Sequence, residues 1–101
     1  MPTLTVISGP NGSGKSTLAR SVDFEGRDRL LDPDTIAISL NPLNPSAAAI
    51  AAARNVLNYT AAYLNQGVSF AIETTLSSRG RLDLLRKAKS RGYEILQTLL
   101  P

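Results

Sequence analysis

The chain has 101 residues, of which 43% are hydrophobic and 19% are charged, and its formal net charge at pH 7 is +3. This balance indicates one globular domain and excludes a disordered chain. The sequence contains no cysteine and no histidine, which excludes disulfides, thiolate metal sites and imidazole acid–base catalysis, so any general base must be a carboxylate.

The first predicted element is a buried strand over Thr3–Ser8, and the sequence GPNGSGKST follows it directly. The spacing Gly-x-x-x-x-Gly-Lys-Ser is typical of the phosphate-binding loop of nucleoside triphosphatases and kinases, rather than of an ordinary turn rich in Gly and Ser. The glycines let backbone N–H groups point at phosphate oxygens, Lys15 reaches the β- and γ-phosphates, and the Ser16 hydroxyl is a ligand for Mg²⁺. We therefore expect ATP, or GTP, to bind with Mg²⁺ to nine residues: Gly9, Pro10, Asn11, Gly12, Ser13, Gly14, Lys15, Ser16 and Thr17.

The elements that follow alternate between helix and strand. The pattern predicts, in chain order, a helix over residues 15–22, a surface connection over 23–28, a strand over 29–32, a helix over Pro33–Leu40, a loop over 41–45 and a helix over 46–66. Asp32 is the predicted N-cap of the Pro33–Leu40 helix, Ser46 that of the long helix, and Gly67 ends the long helix. Three- and four-residue spacing predicts that the long helix buries Ile50, Ala53, Leu57, Ala61 and Leu64.

The last predicted elements are a strand over residues 68–73, a helix over 79–91 that Gly92 ends, and a strand over 93–100. In this last helix we expect Leu82, Leu85 and Ala88 to face inward. Asp83 and Lys87 should form an i,i+4 ion pair on the outer face.

The alternation of strands and helices predicts a parallel sheet with right-handed crossovers. The predicted fold class is α/β of the P-loop NTPase (Rossmann-like) type, with three layers, α/β/α, around a four-stranded, mainly parallel sheet. Ligands of such sheets bind beyond the carboxyl ends of the strands. We therefore expect the phosphate loop, residues 32–35 and residues 73–78 to lie along one edge.

Two polar groups join the loop at that edge. Asp34 is the candidate base that accepts the proton of an attacking hydroxyl, although a carboxylate there also stabilises the helix start. Asp32, at the cap position, is predicted to be structural. Glu73 ends an apolar strand, where facing the core would be costly, so we expect it to face Mg²⁺ and the phosphates, with Thr74 beside it as a substrate contact. Capping of the following turn is the alternative role of Glu73.

Three arginines are each compatible with two interpretations. Arg54 lies on the long helix one residue after Ala53, as a solvated arginine would. Arg79 and Arg81 could contact phosphate, but the start of a surface helix accounts for them equally well.

Four segments together resemble the zeta-toxin-like family of small P-loop kinases: GPNGSGKST, LLDPDTIA, the alanine-rich helix with Ala52-Ala53-Arg54, and GVSFAIETTLSSRGRLDLLRKAKSRGYEI. The resemblance covers nearly the whole chain, and the combination of the loop with F-x-I-E-T-T-L is its most specific part. Members of that family phosphorylate UDP-N-acetylglucosamine at a sugar hydroxyl. The resemblance implies that Lys15 and Ser16 hold ATP–Mg²⁺ and that Asp34 matches the catalytic aspartate. It also implies that Glu73 matches the strand-end glutamate and that Arg54 matches an arginine of single-domain bacterial relatives. We expect Arg54 and Glu73, like Asp34 and Thr74, to contact the substrate.

The chain also departs from the pattern of that family. Its members continue past the fourth strand into a fifth strand, further helices and a lid whose arginines stabilise the transferring phosphate. The resemblance thus implies that residues 1–101 form one domain that is the truncated, N-terminal part of a longer fold. Zeta toxins place an acidic substrate-binding residue in the long helix, whereas residues 46–66 contain no acid.

The expected function is an ATP-dependent phosphotransferase that acts on a hydroxyl of a small molecule, such as a nucleotide sugar. The alternative is a nucleotide-binding remnant or interaction module without catalysis. A third interpretation starts from ABC-type and chromosome-maintenance ATPases, which share the loop GPNGSGKST. Those proteins have additional strands before the strand that leads into the loop, and a later L-S-G-G-Q-type segment, and neither occurs in this sequence.

The expected partners follow from composition and pattern. The basic residues concentrate in the segment 79–91 without interleaved aromatic residues, which argues against nucleic acid. The longest apolar run, residues 47–53, is too short and too rich in alanine to span a bilayer, and no signal peptide precedes the first strand, so we expect a cytoplasmic protein. A protein partner is expected to be a second copy of the chain or an antitoxin-like protein.

Overall fold

The structure is a computed structural model that describes residues 1–8, 25–74 and 78–99. The predicted phosphate loop and the helix predicted over residues 15–22 lie outside these ranges. The described strands and helices are, in chain order, β1 (Thr3–Ser8), β2 (Leu30–Leu31), α1 (Pro33–Leu40), α2 (Ala49–Gln66), β3 (Phe70–Thr74), α3 (Ser78–Ser90) and β4 (Glu94–Leu99). Short 3₁₀ turns over Arg27–Arg29 and Pro45–Ala48 precede β2 and α2.

The four strands form one sheet in the order β2-β3-β1-β4, and every neighbouring pair is parallel. The predicted α/β fold with a four-stranded parallel sheet is confirmed. Parallel neighbours cannot be joined by a tight turn, and α2 and α3 accordingly lie in the connections from β2 to β3 and from β3 to β4. All four strands therefore end at the same edge of the sheet.

The hydrophobic core lies between one face of the sheet and the helices α2 and α3. Alternation along the two central strands turns Leu4, Val6, Phe70 and Ile72 toward these helices. They pack with buried side chains of the helices and of the residue before β4: Val56, Leu64, Leu84, Ala88 and Tyr93. Full burial of a large apolar side chain contributes about 1.5–3 kcal/mol, so this cluster is what holds both helices on the sheet.

The predicted start of the long helix is wrong by three residues. The helix α2 begins at Ala49 after a 3₁₀ turn over Pro45–Ala48, and no side chain caps it. The Ser46 hydroxyl donates instead to Asn44 Oδ1 at 2.8 Å, because the 3₁₀ turn places Ser46 ahead of the helix rather than at its first turn. The predicted end is confirmed, since Gly67 takes the left-handed conformation with φ 68°.

The predicted buried stripe of α2 is wrong except at Leu64. The residues that the helix buries are Ala52, Val56, Thr60 and Leu64. Two of the predicted residues, Ile50 and Leu57, are 77% and 70% exposed, and the other two, Ala53 and Ala61, are exposed as well.

The rotation of α2 about its axis explains this difference. Ala52 packs in a second cluster with Ala37 of α1 and Ala48 of the 3₁₀ turn. Three small side chains allow close approach of the backbones, and this contact turns Ala52 and the residues four and eight positions later inward. The predicted positions Ala53 and Leu57 instead line an open groove of about 330 Å³ between α2 and α3.

The helix α3 shows a smaller difference. Ala88 is fully buried and Leu85 packs on the core, as predicted, but Leu82 is 50% exposed and Leu84 is buried in its place. Leu84 and Ala88 are four residues apart and share one helix face. Asp83 and Lys87 are both exposed, and within the described residues they do not form the predicted ion pair.

Tyr93 ties the end of α2 to the start of β4. Its hydroxyl lies 2.7 Å from the carbonyl oxygen of Val68 and 2.9 Å from that of Tyr63. Burial raises the pKa of this phenol above its ordinary value of 10.0, and the charge of Arg91 lowers it in part. The ring also meets Phe70 edge-on, with 5.9 Å between the ring centroids.

A polar network closes the opposite, amino edge of the sheet. The Ser69 hydroxyl accepts from the Thr3 N–H at 2.9 Å and donates to Glu25 at 2.7 Å. Gly26, in the predicted surface connection, is buried. A Cβ on Gly26 would lie 2.7 Å from the Phe70 nitrogen, so a larger residue cannot occupy this position without a shift of the backbone.

Among the described helices, none is by itself long and apolar enough to cross a membrane. Pro33–Leu40 and Pro45–Gln66 reach that length and composition only as a pair, and the pair is bent by 108°.

Candidate functional site

The carboxyl ends of β1 and β3 are neighbours. In their parallel register, Ile7 lies opposite Glu73 and Ser8 lies opposite Thr74. Ser8 is followed in the sequence by Gly9, the first residue of the predicted phosphate loop. The strand end from which that loop departs is therefore adjacent to the strand end that carries Glu73.

Glu73 is buried, with 5% of its surface exposed. Because Phe70 and Ile72 face the helices α2 and α3, alternation directs Glu73 to the other face of the sheet. A buried carboxylate is costly without a partner, and Glu73 is not without one. Glu73 thus lies on the face opposite the core formed with α2 and α3, and its expected role toward Mg²⁺ and the phosphates stays a prediction.

Glu73 offers carboxylate oxygens at this edge, which are ligands that suit Mg²⁺. Mg²⁺ prefers oxygen ligands and usually takes one or two carboxylates together with phosphate oxygens. Within residues 1–8, 25–74 and 78–99, no group of three or more acidic side chains could hold a metal ion by itself. Glu73 supplies one carboxylate, and a single carboxylate beside phosphate oxygens and a hydroxyl is a ligand set of the kind that Mg²⁺ takes. The other predicted ligand, Ser16, lies outside the described residues.

Asp32 and Asp34 differ in what their carboxylates contact. Asp32 Oδ1 accepts from the Asp34 N–H at 3.0 Å and Oδ2 accepts from the Thr35 hydroxyl at 2.7 Å. Both oxygens are thus used at the start of α1, and Asp32 is its N-cap, as predicted. The Asp34 side chain is exposed, and no hydrogen bond from a described residue orients its carboxylate.

Asp34 borders a cavity of about 470 Å³ between α1 and α2. The remaining lining is small and mostly apolar, and it includes Pro33, Ala37, Ile38, Ala49 and Ala52. Small-molecule sites have volumes of about 300–1,000 Å³ and place a few polar groups on a largely apolar wall. A small molecule in this cavity would meet the Asp34 carboxylate at its rim.

The described part of the chain says less about two other predicted substrate contacts, Arg54 and Thr74. Arg54 is exposed on α2, forms no ion pair within the described part of the chain and does not line the Asp34 cavity. Thr74 ends β3 beside Ser8, and its side chain lies outside the described part.

Arg81, which the sequence pattern leaves undecided, reaches the carboxyl edge. It lies in the first turn of α3, and its Nη1 donates to Ser8 Oγ at 3.4 Å. The signal in the sequence is positional. A helix that starts directly after the carboxyl end of a strand carries its first inward-facing residues along that edge, and Arg81 is one of them. The side chain of Arg79 lies outside the described part.

Comparisons with known proteins support the fold. No protein-family model matches the chain. An uncharacterized protein of Haemophilus influenzae is 37% identical over 87 residues, which are 86% of this chain and 61% of that protein. The crystal structure of a "putative kinase" from Chloroflexus aurantiacus matches 98% of this chain and 59% of its own, with a TM-score of 0.72 and 15% identity. The chain thus spans about three-fifths of the length of either protein, and it shares its α/β fold with the second.

Proposed function

We propose that this chain binds ATP with Mg²⁺ and is part of a phosphotransferase of the zeta-toxin-like type. The phosphotransferase would move the γ-phosphate to a hydroxyl of a small molecule, such as the nucleotide sugar UDP-N-acetylglucosamine. The observation that carries this proposal is the register of β1 and β3, in which Ile7 and Ser8 lie opposite Glu73 and Thr74. A buried carboxylate beside the origin of a phosphate-loop sequence is what an ATP–Mg²⁺ site requires.

In this proposal the nucleotide lies on the nine residues Gly9 to Thr17. Lys15 binds the β- and γ-phosphates, and the oxygens of Ser16 and Glu73 hold Mg²⁺. The bound ion would neutralise negative charge that develops on the transferring phosphoryl group. The protein supplies position and charge, and this is most of what phosphoryl transfer needs.

Asp34 is the proposed base of the transfer. An acceptor in the cavity between α1 and α2 would present its hydroxyl to the Asp34 carboxylate, which accepts the proton as the oxygen attacks phosphorus. Asp32 cannot take this role without giving up the start of α1, because both its oxygens already accept hydrogen bonds there. Thr74 and Arg54 are proposed as contacts of the acceptor.

The comparisons support this proposal at the level of fold. The fold of the Chloroflexus aurantiacus "putative kinase" matches 98% of this chain. The matched residues are 61% of the Haemophilus influenzae protein and 59% of the Chloroflexus aurantiacus chain. We propose accordingly that residues 1–101 correspond to the N-terminal part of a longer kinase fold.

The exposure of Asp34 favours a second candidate function. A catalytic base is usually oriented by neighbouring groups, and no described residue hydrogen-bonds the Asp34 carboxylate. A nucleotide-binding module without phosphoryl transfer would have the same strand register and no need for an oriented base. Formation of ADP in the presence of UDP-N-acetylglucosamine separates the two candidates, because only the phosphotransferase produces it above the rate with ATP alone.

The substitution Lys15→Ala tests nucleotide binding. We expect it to lower the affinity for ATP–Mg²⁺ by about tenfold to a hundredfold, since a charge-assisted hydrogen bond contributes about 1.5–3 kcal/mol. Titration calorimetry of wild type, Lys15→Ala and the control Lys89→Ala measures this, because Lys89 is an exposed lysine in the last turn of α3. Equal ATP affinity of wild type and Lys15→Ala would contradict the proposal.

A further inference from the structure

The guanidinium of Arg81 lies at the carboxyl end of β1, against Ser8. Arg81 is partly buried on α3, and Nη1 donates to the neutral hydroxyl of Ser8 at 3.4 Å. This distance is long for a hydrogen bond between N–H and oxygen. Within the described residues, no carboxylate forms an ion pair with Arg81. A guanidinium has five N–H donors and no acceptor, so an anion with several oxygens, such as phosphate, is the partner that suits it best.

The position of Ser8 indicates which anion could reach Arg81. Ser8 is buried at the carboxyl end of β1, and the next residue in the sequence is the first glycine of GPNGSGKST. By contrast, Arg29 bonds to the Ser69 carbonyl oxygen, just before β3 at the opposite edge of the sheet. Of these two arginines, only Arg81 lies at the edge where a nucleotide would bind.

We propose that Arg81 is a phosphate-binding residue that contacts the terminal phosphate of ATP, as a second cation in addition to Lys15. This inference rests on the proposed function. Arg81 lies against Ser8. In the complex, two of its N–H groups bond to phosphate oxygens. Arginine matches phosphate with two parallel bonds, which a lysine ammonium cannot reproduce. ADP lacks the terminal phosphate, so Arg81 should matter much more for ATP than for ADP.

The test compares ATP and ADP affinities, both with Mg²⁺, by titration calorimetry on the full 101-residue chain. Arg81→Gln keeps a side chain that can donate to Ser8 but removes the charge, and Arg81→Lys keeps the charge but not the planar fork. Arg86→Gln is the matched control, since Arg86 is an exposed arginine on the same helix.

We expect Arg81→Gln to lower ATP affinity by about tenfold to a hundredfold, because it removes charge-assisted hydrogen bonds. The ADP affinity should change far less, and Arg81→Lys should recover part of the ATP affinity. Arg86→Gln should change either affinity by no more than about fivefold, the range of a screened surface charge.

Three results would count against the proposal, and they are distinguishable. If Arg81→Gln weakens ATP and ADP equally, or no more than Arg86→Gln does, Arg81 does not bind the terminal phosphate, although the proposed function stands. If wild type binds neither nucleotide, the proposed function itself fails, before any variant is made. Should Arg81→Gln not fold, Arg81→Lys decides the matter, because an unchanged preference for ATP over ADP would then overturn the assignment.

Discussion

Asp32 and Asp34 are two residues apart but differ in role. Local hydrogen bonds make Asp32 structural, whereas Asp34 is the residue proposed for the chemistry. The Asp32 carboxylate accepts from the Asp34 N–H and the Thr35 hydroxyl, which are groups at the first turn of α1. Within the described part of the chain, the Asp34 carboxylate accepts no hydrogen bond, and Asp34 lines the cavity between α1 and α2. The sequence predicts this division. An Asp-Pro pair before a helical pattern indicates that Asp32 is the N-cap, so Asp34 is not needed for capping.

Alanine substitutions should therefore separate the two roles: Asp32→Ala should affect mainly stability, and Asp34→Ala mainly phosphoryl transfer. We expect Asp32→Ala to lower the free energy of unfolding by about 0.5–2 kcal/mol through loss of the cap, and Asp34→Ala to change it by less than about 0.5 kcal/mol. Phosphoryl transfer to UDP-N-acetylglucosamine, followed as ADP, should instead be lost in Asp34→Ala. Urea unfolding and the coupled ADP assay measure the two effects. If Asp32→Ala proves the more damaging to transfer in folded protein, Asp34 is not the base.

Other features at the scale of residues could not be predicted. Thr5 belongs to a strand correctly predicted as buried, yet its Oγ1 is buried without a hydrogen bond from any described group. The sequence places both Arg79 and Arg81 at the start of α3 and hence near the carboxyl edge, but which of them faces β1 depends on the rotation of α3 against that strand. Such rotations are set by packing between elements that are distant in the sequence, so no local pattern records them.

At the scale of elements, boundaries were easier to predict than faces. Proline, glycine and cap residues mark where β1, α1 and α3 begin or end, and the observed ends lie within one residue of the predicted ones. The face of α2 is different. Alanine and leucine occur on more than one side of this helix, so spacing alone favours Ile50 and Leu57 as much as Ala52 and Val56. Close packing of alanines against α1 decides between these sets.

Tyr93 connects the end of α2 to the start of β4, and its phenol should make the free energy of unfolding depend on pH. Burial raises the pKa of its phenol in the folded chain above 10.0, its value in the unfolded chain. The folded state therefore favours the protonated phenol. The contribution of the buried Tyr93 phenol to stability is complete below pH 10 and is lost as the pH rises through the higher pKa of the folded chain. At that pH the tyrosinate must form beside the carbonyl oxygens of Tyr63 and Val68.

We expect Tyr93→Phe to lower the free energy of unfolding by about 1 kcal/mol at neutral pH, through the lost hydrogen bond. The difference from wild type should shrink above pH 10, because only wild type then carries the cost of ionising this phenol. Urea unfolding at a series of pH values measures both effects, with Tyr59→Phe as the control, since Tyr59 is half exposed. A difference that stays constant above pH 10 would mean that burial does not favour the neutral phenol.

At the scale of the whole molecule, the sequence predicts a parallel sheet but not its strand order. Alternating strands and helices require crossovers, and the handedness rule limits them, but several orders remain compatible with four strands. The observed order β2-β3-β1-β4 places β1 and β3 in the centre, and this brings Ser8 beside Thr74 and Ile7 beside Glu73. The neighbourhood of the candidate site is thus a property of the assembled sheet.

The same strand order leaves β4 at the edge of the sheet, paired through β1 alone within the described residues. An edge strand presents unpaired N–H and C=O groups that can pair with another chain, and Leu96 on β4 is 49% exposed. We therefore expect the 101-residue chain to self-associate, and Leu96→Lys to shift it toward the monomer, because a lysine on an edge strand opposes pairing. Leu43→Lys, at a fully exposed leucine in the loop after α1, should leave association unchanged. Sedimentation velocity at several concentrations measures this, and a wild-type chain that remains monomeric throughout would show that the β4 edge does not recruit a second copy.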